Sequence, residues 1–531
     1  MSDVKLSDLK TKPKPASNTS LSPEGPSVEV YAVYGVEPEV QAYAMAKYSR
    51  SALSMKESLR EINRQKAEKF LNTFYFQYGH RSIADLAHIA LAIERLSILG
   101  AIAVADEQRW DGQERSTRYQ DFQKSGYYTP DFGTEQARNL YRDTVEGLFS
   151  VYEALSERMW LYLAEITPKP AEVKQDAYER TLRARAFDIS RYLLPLATNT
   201  SLGEIVNART LETQVARLLS HTHQEIRNLG GLLKRAATSP AYNMNHQSLR
   251  ELVEEIRAVD PRLGARAEQE LLREVCAAPT LLKYADPNPY QIETRRELRQ
   301  AAAELMGRSP ITPAEAVGLL DEEPLEVELA TTLLYEHCHY SYRQIRQAVE
   351  AAGEKMRREI IDLGVRHRSK HDEMLRAFCV GQHFRFDILM DIGGFRDMHR
   401  HRRCIQIGQG FTAKHGYDAP EELEAAGVHS GYDAAMNRAA EVVEKLVQSP
   451  GEESEEKSHY AIPLGFRKRT LFKMDFAEVV YISELRTTPA GHTSYRRVAY
   501  AMYEAVARKY PALAKHFHVH DVSEPVDLLQ R

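Results

Sequence analysis

The spacing of apolar residues changes period several times along the chain, and it does so in the same order twice. Leu59, Ile62, Ala67, Phe70, Leu71 and Phe74 keep mostly helical spacing, which predicts a helix between Leu59 and Tyr78. Ile89, Leu91 and Ile93 then alternate with Ala90, Ala92 and Glu94, the two-residue period of a strand. In the second half, Ile345, Val349, Met356 and Ile360 predict another helix. Phe384, Phe386, Ile388, Met390 and Ile392 follow, alternating with Arg385, Asp387 and Asp391, as in a strand buried on one face. Helix followed by strand therefore recurs at an offset of about 295 residues.

The recurrence continues downstream. Leu194-Pro195-Leu196 answers Ile462-Pro463-Leu464, and Arg217 before His221 answers Arg486 before His492. A long helical pattern follows each, Gln224 to Ala237 and Tyr495 to Lys509. Here the offset has dropped to about 268, so the intervening stretch, including an insert from Gln120 to Ile189, is longer in the first copy. Pro261, Pro279, Pro287, Pro289 and Pro310 break up the helical pieces between Asp260 and Pro313 and mark a boundary. The expected organisation is a disordered tail over residues 1–28, rich in Pro, Ser, Thr and Lys, then domains over 29–275 and 276–531. Period and length favour tandem domains over a solenoid, whose repeats are shorter.

Composition narrows the chemistry. A chain of 531 residues exceeds what one core usually serves. Acidic residues (75) slightly outnumber Lys plus Arg (70), which argues against a general nucleic-acid coat; an anion site must be a local cluster. Cys276, Cys338, Cys379 and Cys404 form no paired framework and fit a reducing cytosol. The apolar run from Leu96 to Ala105, with Ser97 and Gly100 inside it, is too short to span a bilayer, and the N-terminus has no signal-peptide core. A cytoplasmic protein without membrane attachment is expected.

Two polar clusters stand out against this background. Residues 396–403 hold four arginines and two histidines (His399, His401) beside a strand that ends at Gly393-Gly394. Guanidinium groups bind phosphate oxygens bidentately and stay charged at any working pH. A solvated basic loop is the bland alternative. In the first copy stand Glu114, Ser116, Thr117, Arg118 and Tyr119; on an extended segment Ser116 and Arg118 point the same way and could share one phosphate. Arg191, Asn207, Arg209 and Arg217 lie amid apolar neighbours, where buried arginines need partners: an anionic ligand, or Glu204, Glu212 and Glu225. His337-Cys338-His339 and the His399/His401 pair use ligand residue types without the second pair that zinc spacing requires, so no metal site is expected.

Gly79-His80-Arg81-Ser82, the alternating strand, Glu114-Arg115-Ser116-Thr117-Arg118-Tyr119, Arg191 with Pro195, Asn207-Ala208-Arg209 and Arg217 stand in an order that resembles the flavin-dependent thymidylate synthases. That family carries Gly-His-x-Ser/Thr and a signature of Arg-His-Arg followed by Ser-x-Arg-Tyr. The resemblance covers roughly residues 60–240, and again about 365–510. It implies an α+β fold in two copies, helices packed on a mixed or antiparallel sheet. It implies FAD as cofactor, with NADPH and methylenetetrahydrofolate as co-substrates in methylation of deoxyuridylate (dUMP). By the resemblance, Ser82, Asn207, Ala208, Arg209, Arg400, His401 and Arg402 fall at flavin-contacting positions. Glu114, Ser116, Thr117, Arg118 and Arg191 fall at nucleotide-contacting ones, and Arg217 at the arginine that polarises the uracil ring.

The departures are complementary. The first copy has Asp106-Glu107-Gln108 where Arg-His-Arg belongs. The second has Arg400-His401-Arg402 but Gly410, Thr412 and Ala413 in place of Ser, Arg and Tyr, His459 for the nucleotide arginine, and Asp475-Phe476-Ala477 for Asn-Ala-Arg. Family enzymes are homotetramers with sites between subunits. The resemblance therefore implies a composite site, a fused chain acting as a built-in dimer, and a homodimer of such chains as a pseudo-tetramer. A diverged flavin or nucleotide binder without the reaction is the first alternative. An RNA-binding module using residues 396–403 is the alternative from another class.

Overall fold

The computed structural model describes residues 33, 35–47, 55, 56, 59 and 81–529, apart from 123, 370, 371, 373, 516, 525 and 528. The expected tail over 1–28 lies outside the described residues, as does the expected 59–78 helix apart from Leu59. After α1 (Pro38–Lys47) the first copy runs β1 (His88–Ser97), α2 (Ile98–Ala105), β2 (Asp111–Glu114), α3 (Glu135–Ile166), α4 (Gln175–Ser190), β3 (Asn199–Asn207), α5 (Ala208–Leu219) and α6 (Gln224–Thr238). A helical hairpin, α7 (His246–Val259) and α8 (Pro261–Leu271), follows. Next come α9 (Pro289–Met306), β4 (Val317–Leu319), α10 (Leu325–Tyr335), α11 (Tyr342–Ala351) and α12 (Gly353–Val365). The second copy then repeats the first: β5 (Phe384–Asp391), α13 (Ile392–Met398), β6 (Ile405–Gly408), α14 (His429–Val447), β7 (Arg467–Met474), α15 (Phe476–Thr487) and α16 (Thr493–Lys509).

Both sheets are antiparallel, with strand orders β1-β3-β2 and β4-β5-β7-β6, and helices pack on them, so the fold is the α+β arrangement expected. The copies agree in register. Asp111 faces Ile205 as Ile405 faces Lys473, and Ser97 faces Asn199 as Asp391 faces Arg467. Arg95, at φ 58°, is a bulge residue that the second copy lacks. The strand-to-helix turn is built alike in both. Ser97 caps α2 by accepting from the Gly100 N–H at 2.9 Å, and Asp391 caps α13 from the Gly394 N–H at 2.6 Å. The partner of each cap is inverted: Glu225 of α6 accepts from the Ser97 hydroxyl at 2.5 Å, whereas Ser494 of α16 donates to Asp391.

The copies join back to back through the two Pro-Leu segments. Pro195 and Pro463 form an antiparallel bridge. Around it Leu196 and Ala197 donate to the carbonyls of Ile462 and Tyr460, and Leu464 and Gly465 to those of Leu194 and Tyr192, all at 2.9 Å. Proline suits this place, since the hydrogen bonds across the bridge run between its neighbours and need no N–H from either proline. Tyr141 and Tyr152 of α3 share one apolar core with Tyr432 and Met436 of α14, together with Tyr192, Leu194, Ile462 and Leu464. The long α3 and the added α4 account for the drop in offset, so the supposed insert is half of the joint between copies.

Two expectations need correction. The single helix expected through Val349 and Met356 is two, because Gly353 at φ +81° turns the chain between α11 and α12. The strand β5 is buried on both faces, not one, because α10 packs on the far side of the second sheet through Tyr335, Glu328, Leu333 and Leu334. Arg385, Asp387, Arg469 and Lys473 survive there by pairing: Arg385 with Glu323 at 3.0 Å, Arg469 with Asp387 at 2.8 Å and Lys473 with Glu328 at 3.1 Å. Among the described residues no helix is long and apolar enough to cross a membrane.

Gly465 sits where the two copies press together. A Cβ there would lie 2.7 Å from the Tyr432 hydroxyl and 2.9 Å from both Met436 Cε and Tyr192 Cδ1. Gly465→Val is expected to cost about 1–3 kcal/mol through overpacking. Because the core is shared, calorimetry should show one cooperative transition, lowered as a whole. Two separate transitions, with only the second copy's affected, would refute the shared core.

Candidate functional site

The joint turns the end of each copy toward the other and makes two crevices related by the pseudo-twofold. In the first, the segment after β2 of the first copy faces α13 and residues 399–403 of the second. Arg396 Nη1 donates to Thr117 Oγ1 at 3.2 Å and its Nη2 to Glu114. Arg400 lies 3.9 Å from the other Glu114 oxygen, and Arg402 donates to Asp111 at 2.9 Å beside the Trp110 ring. The second copy's Arg-His-Arg thus meets the first copy's polar cluster within one chain.

Deeper in the crevice stand the two arginines expected on the nucleotide side. Arg118 makes a two-pronged contact with Asp188, at 3.0 and 3.2 Å, and also donates to the Tyr495 hydroxyl and the Ala490 carbonyl at 3.0 Å. Arg191, 2 % exposed, lies 3.4 Å from Asp188 without hydrogen-bond geometry and 3.5 Å from Asp397. Burial opposes ionisation of Asp188, but His492, Arg191 and Arg118 outweigh it and hold the carboxyl at about 2. His492, 3.8 Å from the same carboxylate, is pushed down to about 4 by burial and stays neutral. Arg191 Nη2, Arg396 Nε and Asp397 Oδ2 are buried with no hydrogen-bond partner. Such capacity is costly to leave unmet, so the crevice is incomplete by itself.

Some expected members sit elsewhere. The segment at Ser116 is a turn, not extended: the Ser116 hydroxyl accepts from the Arg118 N–H at 3.3 Å, and so does not point beside the guanidinium as expected. Arg217 does not join Arg118. It donates to the Ala103 carbonyl at 3.0 Å and shares Asp106 with Arg376 and His399, in the other crevice. Its counterpart Arg486 takes the place beside Arg118, 5.4 Å from the Tyr495 ring, and donates to His401 Nε2 at 2.7 Å. Since a guanidinium only donates, His401 carries its proton on Nδ1, toward Glu478 at 3.7 Å; burial keeps its pKa below the ordinary value and the ring neutral.

The flavin-side residues of the first copy form a third group. Asn207 caps α5 from the Thr210 N–H at 2.8 Å, Ala208 is fully buried, and Arg209 pairs with Asp85 at 3.1 Å with its Nε unpartnered. Asp85 shares the short 3₁₀ helix Arg81–Leu86 with Ser82, whose side chain lies outside the described residues. Arg400, His401 and Arg402 make their polar contacts with Glu114, Glu478, Arg486 and Asp111 rather than with this group. It lies nearby along the sheet, Asp111 pairing with Ile205 next to the end of β3. Arg396 belongs to the basic cluster that the sequence singled out, whereas Asp188, Asp397, Tyr495 and His492 were not expected in the site. Only a helical register placing Asp188 three residues before Arg191 could have signalled the first of them.

A family model described as thymidylate synthase complementing protein matches residues 33–239 and 322–512, one segment in each copy. The chain belongs to this family. A UPF0159 protein of Chlamydia pneumoniae is 28% identical over 533 aligned residues, covering 94% of this chain and 93% of the relative. A flavin-dependent thymidylate synthase of Clostridium tetani is 23% identical over 199 residues, 37% of this chain and 76% of the relative. The crystal structure of the flavin-dependent thymidylate synthase ThyX of Helicobacter pylori with FAD and dUMP aligns with 15% identity and a TM-score of 0.26, covering 40% of this chain and 93% of that one. The thymidylate synthase complementing fold therefore occurs twice here, with one crevice rich in arginine.

Asp188 holds the arginine-rich crevice together. Its folded pKa, about 2, lies below the usual value, so its stabilisation is present above about pH 4 and is lost as pH falls toward 2. Asp188→Asn is expected to cost about 3–5 kcal/mol at pH 7 by leaving buried guanidinium charge unbalanced. In denaturant titrations the gap from wild type should narrow steadily below pH 4. A gap that stays constant down to pH 2 would mean that the carboxylate carries none of it.

Proposed function

We propose that the chain binds deoxyuridylate and FAD in the crevice between its copies and methylates the nucleotide, as a flavin-dependent thymidylate synthase with one composite site. The observation that carries this reading is the meeting of Arg396, Arg400 and Arg402 with the Asp111–Arg118 segment above a buried Arg191 that has a free N–H. Unmet buried guanidinium donors suit a phosphate. A nucleotide phosphate would take the free Arg191 N–H and compete with Asp188 for Arg118. Arg209 Nε and the half-exposed Arg402 are the groups that would hold the flavin. Family membership and the Clostridium tetani relative support the same reading.

When bound, the flavin would supply the chemistry that moves a methylene group from methylenetetrahydrofolate to C5 of deoxyuridylate, with NADPH restoring its reduced form. The chain's own part is position and field. Arg486, fixed by neutral His401 and the Tyr495 ring, presents positive charge beside Arg118 and is the residue suited to favour charge on the uracil ring. Arg217, neutralised by Asp106 in the other crevice, is not. A homodimer of the chain would rebuild a four-copy assembly. The RNA alternative loses its main support, because Arg396, Arg400, Arg402 and Arg403 each have a carboxylate partner.

The test is NADPH oxidation stimulated by deoxyuridylate, with thymidylate formed on adding methylenetetrahydrofolate to flavin-loaded protein. Arg486→Ala is expected to lower turnover about 10²- to 10³-fold, while Arg217→Ala keeps most of it. Arg118→Ala should weaken deoxyuridylate binding about ten- to a hundredfold with flavin content retained. A dead Arg217→Ala beside an active Arg486→Ala would place the nucleotide in the other crevice. Flavin-loaded wild type without turnover would favour the diverged binder.

A further inference from the structure

The second crevice has been rebuilt, not merely emptied. The shift that relates the copies puts Gly408 where the first crevice has Glu114, Thr412 for Arg118, His459 for Arg191 and Asp106 for Arg400. It also puts Lys468 at the position of Thr200. Lys468 is 7% exposed. Its ammonium donates to the Gln409 carbonyl and lies 4.3 Å from the Phe411 ring and 5.5 Å from that of Phe395. Among the described residues no carboxylate lies within ion-pair distance of it. Gly408 is what admits it, since a Cβ there would sit 3.2 Å from both Cε and Nζ.

Around this amine stand imidazoles. His339 and His415 have ring centres 6.0 Å apart, and His339 Nδ1 and His415 Nε2 are buried with no hydrogen-bond partner. His223 and His459 close the far wall with a 3.1 Å contact between copies. Burial, together with Lys414 and Lys468, pushes His339 down to about 3 and His415 to about 4, so both are neutral. Burial lowers Lys468 to about 8, opposed by Asp106 and Glu336, so it is still charged at pH 7. In the first crevice the buried arginines have carboxylates in contact; here a buried ammonium has a carbonyl, two aromatic faces and two idle imidazole nitrogens. A buried charge without its counter-ion is a large uncompensated cost. A metal fits poorly, since no group of three ligand residues converges among the described residues and the field is cationic.

We propose that the second crevice is a separate site for an oxyanion, a phosphate or carboxylate group, with the Lys468 ammonium as its charge partner and His339 and His415 as hydrogen-bond donors. The site is independent of the thymidylate reading, because it shares neither Arg118 nor Arg191.

The experiment is calorimetric titration of the full-length protein with inorganic phosphate, and separately with acetate, at pH 7 and constant ionic strength balanced with chloride. Arg118→Ala serves as the background that weakens the first crevice. Saturable millimolar or tighter binding of either anion should persist in Arg118→Ala and fall at least tenfold in Arg118→Ala/Lys468→Met. The tighter of the two anions identifies the headgroup. If the lysine variant does not fold, His415→Ala, at a partly buried position, should weaken the same binding severalfold. Binding that disappears with Arg118→Ala, or that survives unchanged when Lys468 or His415 is replaced, overturns the proposal, as does no binding of either anion to wild type.

Discussion

The antiparallel bridge between Pro195 and Pro463 is the contact on which the rest of the molecule depends. Four backbone hydrogen bonds across it fix the copies back to back, and a core of tyrosines from α3 and α14 locks them. Everything functional follows from that constraint. Arg191 leaves the end of α4 just before its Pro-Leu segment, and His459 does the same in the second copy, so each copy delivers one residue into the crevice that its neighbour completes. Separated copies would expose Arg191, Asp188 and His223 to water and leave neither crevice walled.

Much of this architecture was legible in the sequence because it is repeated. The alternation around Ile89 and Phe384, the Pro-Leu pair and the shrinking offset all report backbone geometry that both copies must satisfy. The strand registers keep that correspondence apart from the one-residue bulge at Arg95. What periodicity could not carry was depth. Both faces of β5 are covered, and the charges that made one face look solvated are paired with Glu323, Glu328 and Tyr335 from a helical layer distant in sequence.

The site was less legible, for a reason inherent in tandem pairing. A motif says what a residue is for but not which of two crevices it enters. Arg217 and Arg486 both stand in the last turn of their helices, α5 and α15. Reading each arginine with its own copy put Arg217 beside Arg118. The pseudo-twofold exchanges them, because a crevice takes its Ser-x-Arg side from one copy and its last helices from the other. Asp188 was invisible for a similar reason: one acidic residue on a helix among many, it gains meaning only where three basic side chains converge on it.

The two crevices now differ most in how charge is balanced. In one, Asp188, Glu114 and Asp397 hold Arg118, Arg191, Arg396 and Arg400 in place, so an incoming anion must compete with carboxylates already there. Preorganised guanidinium groups are the return for that competition, since they need little rearrangement to meet a phosphate. In the other, the corresponding changes exchange sign: Asp106 stands where Arg400 does, and Lys468 fills the space that a glycine at 408 leaves. A symmetric dimer could not make these changes, because any substitution would alter both sites at once. Fusion of the copies removes that symmetry, and with it the requirement that the two crevices do the same thing.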